Sequence, residues 1–150
     1  MEKINELIRD LDKNADDEVF WLGQASDEQI HLLESELGSL LPDSLKYFFR
    51  LVGGGGVIEE EISGIISDDA SEECHGGMLF DTLYCRKEFG LPDYLAVIYF
   101  KEDEVCWCVN LLPDGYGEIV SYNLFKEEVD KTLYDSFELF FEEYVELRTE

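Results

Sequence analysis

Apolar residues along this chain recur at two spacings, about 3.6 residues in its first third and at its end, and about 2 in between. Ile4, Leu7, Ile8 and Leu11 mark one face of a short first helix. Asn14–Glu18 breaks the pattern, and Phe20, Trp21 and Leu22 form an apolar plug before Gly23. That plug either anchors the N-terminal arm on the core or lies exposed as a binding patch. Ser26–Gly56 is the most legible stretch. Ser26 with Gln29 reads as a capping box, the hydroxyl accepting an early N–H and the glutamine reaching back to the Ser26 N–H. Ile30, Leu33 and Leu37 continue the helix, and Gly38 suits a left-handed C-cap. Pro42 suits the first turn of the next helix. Leu45, Phe48, Phe49 and Val52 fill its buried stripe, and Gly53–Gly56 ends it.

The spacing then shortens. Val57–Ile66 reads as one or two short strands with Gly64 as a bulge, and Ser67–Gly77 has loop composition. Met78–Phe89 reads as a helix, with Leu79, Leu83 and Arg86 stepping along it and Gly90 and Pro92 stopping it. Tyr94–Phe100 is a continuous apolar run, which predicts a central strand buried on both faces. Val105, Trp107, Val109 and Leu111 alternate with Cys106, Cys108 and Asn110 in the next strand, and Tyr116–Tyr122 supplies another. Polar turns at Lys101–Glu104 and Pro113–Gly115 join them into an antiparallel meander. Glu127–Asp130 reads as loop or helix start. Ser136 caps a last helix whose stripe is Phe137, Phe140, Phe141, Tyr144 and Leu147. The expected class is α+β: N-terminal helices, a largely antiparallel sheet of about four to six strands and a C-terminal helix. One domain is expected over residues 1–150, with residues 1–22 as a helix and arm packed on it.

Charge changes the functional picture more than the fold. The chain carries 36 acidic and 11 basic residues, a net charge of −25. Such a field repels nucleic acid, which is bound through cationic contacts to phosphate, and equally repels anionic membranes. It favours a basic partner and speeds its approach, or else serves solubility alone. No lysine or arginine lies between Arg50 and Arg86, while Glu59, Glu60, Glu61, Asp68, Asp69, Glu72, Glu73 and Asp81 all do. The first seven are the candidate partner contacts, with Asp68, Asp69, Glu72 and Glu73 on a loop, where binding residues concentrate. The alternative for them is a solvated acidic loop. The N-terminus has no signal-peptide core and no apolar run reaches membrane length, so a cytoplasmic protein is expected.

Catalytic chemistry finds little support. Cys74, Cys85, Cys106 and Cys108 lack a zinc-ligand spacing, and buried thiols are expected at Cys106 and Cys108. Gly53–Gly56 lacks the lysine and hydroxyl residue of a phosphate loop and is followed by three glutamates. His31 reads as a surface residue. His75 follows Cys74, but a nucleophile pair needs spatial contact and an orienting third group, which adjacency does not supply. No catalytic residue, metal or cofactor is expected.

Ser26, Ile30 and Glu34, then Leu37, Gly38, Leu41 and Pro42, then Lys46, Phe48, Phe49, Gly53 and Gly54, form a pattern that resembles the opening motif of the SUKH superfamily. Gly90-Leu91-Pro92 before an apolar strand, and Ser136, Phe137, Glu138 and Phe140 near the end, are similar to later parts of the same family. Leu45 departs from a position commonly aromatic there, and Lys101–Glu104 from a glycine-rich turn. The superfamily includes bacterial toxin-immunity proteins and a fungal regulator of cell-wall assembly. The resemblance implies a SUKH-like α+β domain without enzymatic activity. It implies neutralisation of a cognate toxin, often a nuclease with a basic active-site face, by stoichiometric binding. A regulatory or scaffold module that binds through an apolar patch is the second reading. The matched residues are caps, stops and core positions, so the resemblance carries no binding residue over.

Overall fold

Helix boundaries follow the caps written in the sequence. In the computed structural model, which describes all 150 residues, α1 spans Glu2–Asn14 and buries Ile4, Leu7, Ile8 and Leu11. β1 is Val19–Trp21 and α2 is Asp27–Leu37, stopped by Gly38 at φ 79°. α3 is Asp43–Val52, with Pro42 at the N-cap, one residue ahead of the first turn. Its stripe of Leu45, Phe48, Phe49 and Val52 is buried as expected. β2 is Gly55–Val57 and α4 is Met78–Phe89, closed by Gly90 at φ 64°. β3 (Leu95–Lys101), β4 (Val105–Asn110), β5 (Ile119–Asn123) and β6 (Glu128–Tyr134) follow, and α5 (Phe137–Arg148) closes the chain under the Ser136 cap.

The strands form two antiparallel sheets, a pair β1-β2 and a four-stranded sheet in the order β3-β4-β5-β6. The fold is therefore α+β with helices at both ends. One face of the larger sheet, through Ala96, Ile98, Val109 and Ile119, joins a core of thirty buried residues with α1, α2, α3 and α5. The opposite face, through Val97, Cys106, Cys108 and Val120, packs with Cys85 of α4 and Leu91. Phe48 sits where three elements meet, its ring centroid 5.0 Å from Phe137, 4.9 Å from Phe141 and 6.0 Å from Trp21. Cys85, Cys106 and Cys108 are buried free thiols and Cys74 is exposed.

Five expectations need correction. The apolar run at β3 is buried on both faces but lies at the edge of its sheet, not the centre. Its outer edge is covered instead: Thr82 Oγ1 of α4 accepts from the Val97 N–H at 2.9 Å, and the Ser63 N–H donates to the Ile98 carbonyl at 2.8 Å. An edge so occupied offers no template for aggregation. Glu127 ends a turn, but Glu128–Asp130 open strand β6 rather than a loop or helix; the first five residues of β6 are exposed on both faces, so no alternation marks it. Leu83 and Leu147 are exposed, at 47% and 57%, because α4 buries Met78, Asp81, Thr82 and Cys85, and α5 buries Val145. The Phe20–Leu22 plug divides. Trp21 packs edge-to-face against Phe48 and donates its Nε1–H to Asp12, whereas Phe20 is 60% exposed. Only Val57 of the residues Val57–Ile66 belongs to a regular strand pair, through β2, with single bridges at Gly55–Ile62 and Gly64–Gly77 beyond it.

The glycine run is a turn and half a ribbon at once. All four of its residues have positive φ. A Cβ on Gly53 would collide with the Gly23 carbonyl oxygen, and one on Gly56 with the Tyr144 hydroxyl. Glycine lets the backbone pass this close to β1 and α5.

Candidate partner-binding surface

The seven candidate carboxylates separate into two places with different duties. Glu59–Glu61 turn the chain just after β2, beside the end of α5. The Glu60 carboxylate pairs with Arg148 Nε at 3.2 Å, and its carbonyl accepts from the Tyr144 hydroxyl at 2.7 Å. Glu61 accepts from the Glu59 N–H at 2.9 Å, which holds Glu59 at φ 75°. These groups serve the turn. The cavity beside them is lined by Asp17, Glu18, Ile58 and Lys101 as well as Glu59 and Glu60.

Asp68–Glu73 lie on the loop before α4, against the start of α2. Asp68 Oδ1 accepts from both the N–H of Ser26 at 2.8 Å and its hydroxyl at 3.0 Å. The capping box is thus completed across the fold. Ser26 Oγ accepts from the Gln29 N–H as expected, but Gln29 turns away and its Oε1 accepts from the Ala70 N–H at 2.8 Å. Asp69 Oδ1 accepts from the N–H and hydroxyl of Ser71, an Asx turn within the loop. Glu72 and Glu73 are exposed and outside every intrachain ion pair.

The far end of the loop is fixed by a group the sequence reading did not single out. Asp81, 1% exposed, holds His75 Nδ1 at 2.7 Å through one oxygen. Its other oxygen accepts from the Ser63 hydroxyl at 2.8 Å and the Gly76 N–H at 3.1 Å. Burial pushes the Asp81 carboxyl above the ordinary aspartate range, with the His75 and Ser63 hydrogen bonds pulling it back. Ser63 donates to the carboxylate and not to the histidine, so the three residues form an anchor and not a nucleophile relay. The signal was present in the sequence: Met78, Asp81, Thr82 and Cys85 step at helical spacing, and a carboxylate on a buried stripe requires partners. His31 is exposed, as expected.

Between α2, α4 and this loop lies a groove of about 610 Å³. Leu32, Ala70, Leu79, Phe80, Leu83 and Tyr84 form its apolar floor and walls. Glu36, Glu72, Glu73 and Glu88 line it as well, with Lys87 as its one cation. The Tyr84 hydroxyl donates to Glu102, and that hydrogen bond, with desolvation and the carboxylate charge adding to it, pushes the phenol up to about 12.

A family model described as SMI1-KNR4 cell-wall, of the SUKH group, matches residues 4–146. The chain belongs to the SUKH superfamily. The match spans α1 to α5 and includes both acidic segments and both helices of the groove. The motif residues of this SUKH domain do structural work. Glu34, 5% exposed, accepts from the Leu41 N–H at 2.7 Å and pairs with Lys46 at 3.3 Å, which locks the turn between α2 and α3. The superfamily includes toxin-immunity proteins. No helix of the chain is long and apolar enough to cross a membrane.

Proposed function

We propose that this SUKH protein is a non-catalytic, cytoplasmic immunity protein that neutralises a cognate toxin by stoichiometric binding through its acidic surface. The toxin domain is basic and of nuclease type. The observation that carries the reading is the placing of Glu72 and Glu73: exposed, unpaired and on the wall of a groove, on a chain of net charge −25. A nuclease holds phosphates with basic side chains, so its active face is positive and complementary to such a wall. Asp68, Asp69 and Glu59–Glu61 shape the presenting loops and add to the field that steers the encounter.

The test is co-expression and co-purification with the toxin encoded beside this gene. Protection of the cell together with a one-to-one complex supports the reading. A neighbour that is no toxin, or toxicity undiminished by this protein, overturns it. The apolar floor of the groove favours one competing reading, a regulatory or scaffold module that binds through hydrophobic contact. Salt separates the two: charge-steered association slows markedly towards physiological ionic strength, where the Debye length is about 8 Å, and hydrophobic docking does not.

A further inference from the structure

We infer that the groove between α2 and α4 is a seat for one basic amphipathic helix of the partner, with Leu83 as the central apolar contact; this rests on the partner-binding reading above and names the segment recognised. Leu79 with Leu83, and Phe80 with Tyr84, are i, i+4 pairs that make two apolar ridges along α4. Leu32 of α2 faces the same space. Ridges of this kind accept the side chains of a third helix. From Leu79 to Glu88 the seat runs about 14 Å along α4, the length of two to three helical turns.

Charge selects the occupant. Glu36 on α2, Glu72 and Glu73 on the loop and Glu88 on α4 border the apolar floor on separate elements, with Lys87 alone opposing them. A helix with an apolar stripe flanked by lysine or arginine satisfies floor and border together, which is the helix-in-groove mode of recognition. Leu83 is 47% exposed on a helix whose other large apolar side chains are buried or half-buried, a solvated leucine at the middle of the floor. A second copy of this chain, itself at −25, meets the border with like charge.

The probe is a synthetic peptide of about 18 residues made of leucine and lysine with the apolar positions at helical period, against a peptide of the same composition with that period scrambled. Binding is read by fluorescence anisotropy at about 0.15 M salt, where non-specific charge attraction is damped. The patterned peptide is expected to bind at least about tenfold more tightly than the scrambled one. Leu83→Asp should erase that difference, although it adds negative charge and would strengthen any merely electrostatic attraction. Glu128→Lys, at the exposed start of β6 and outside the groove, should preserve it. Circular dichroism establishes that both variants are folded. Equal binding of the two peptides, or an undiminished preference in Leu83→Asp, overturns the proposal. So does a wild-type dimer that Leu83→Asp dissociates, which would give the seat to a second copy. Protection from the toxin tests the parent reading separately. A wild type that fails to protect sinks the immunity reading alone, while Leu83→Asp that protects fully places the toxin elsewhere and sinks the seat alone.

Discussion

Reversing the loop acids one group at a time separates those that fasten the loop from those with no intrachain partner. Asp68→Lys removes the acceptor for the Ser26 N–H and hydroxyl, bonds of 2.8 and 3.0 Å that join the loop to the first turn of α2. Two hydrogen bonds at an exposed site contribute about 0.5–1.5 kcal/mol each, and a cation at a helix N-terminus opposes its dipole by a few tenths more. The expected loss is about 2 kcal/mol, which for a chain of this size lowers Tm by about 4–8 °C. Glu72→Lys with Glu73→Lys touches no intrachain partner. Its stability should stay within about 0.5 kcal/mol of wild type, or rise as self-repulsion falls. Urea and thermal melts of the two variants decide. Asp68→Lys that melts with wild type, or a Glu72/Glu73 reversal that loses as much, refutes the division. For a loop that is only solvated, reversing all four acids together should leave thermal stability barely changed or even raised; the Asp68–Ser26 bonds give one of those carboxylates a structural partner.

Phe48→Ala should cost about 3–5 kcal/mol in denaturant melts, since its ring fills the junction of α3, α5 and Trp21, whereas Ser26→Ala should cost about 1 kcal/mol. Glu34→Ala leaves the Leu41 N–H without its acceptor and Lys46 with only the distant Asp43, and should cost about 2–3 kcal/mol by the same measurement. Asp81 gives a pH signature. A carboxyl raised in the folded state favours folding while protonated and loses that contribution as pH rises from about 4 through its folded value. The stability of Asp81→Asn relative to wild type should therefore improve between pH 4 and pH 7 in parallel urea melts, and a difference that is flat or falls with pH contradicts it.

Local signals were legible wherever one residue type has one physical use. Ser26, Gly38, Gly90 and Ser136 placed helix ends to within a residue, and Phe48, Phe49, Phe140 and Phe141 named the core. Pairing between distant segments was not legible. β3 reads as central from its composition because both of its faces are covered; that one edge meets Thr82 and Ser63 depends on tertiary placement. β6 is a solvated edge strand, so the alternation that marks half-buried strands is missing. The candidate site was half visible. Charge density pointed to the loop, but which acids are fastened depended on Ser26, forty-two residues from Asp68. The groove went unseen because Leu83 was read only as stepping along the helix with Leu79, and that Asp81 and Thr82 take the buried stripe in its place depends on tertiary placement.

That exchange of positions on α4 connects the fold to recognition. A loop carrying four acids on a chain this negative tends to spread, because each carboxylate repels the rest. Here it is held at Ser26–Asp68, at Gln29–Ala70 and at His75–Asp81, with Gly64 bonded to Gly76 and Met78 beneath it. Asp81 must be buried to hold His75, and burying Asp81 and Thr82 turns Leu83 outward into the groove. The restraint that keeps Glu72 and Glu73 at the groove wall therefore also exposes the apolar residue beneath them. A loop ordered before binding loses less conformational freedom on association, so more of the contact energy appears as affinity. Glu34 and Lys46 of the SUKH motif lock the turn between α2 and α3 and do not line the groove. On the proposed seat, Glu72, Glu73 and Leu83 are the positions to alter for a different basic helix while the framework that presents them is left intact.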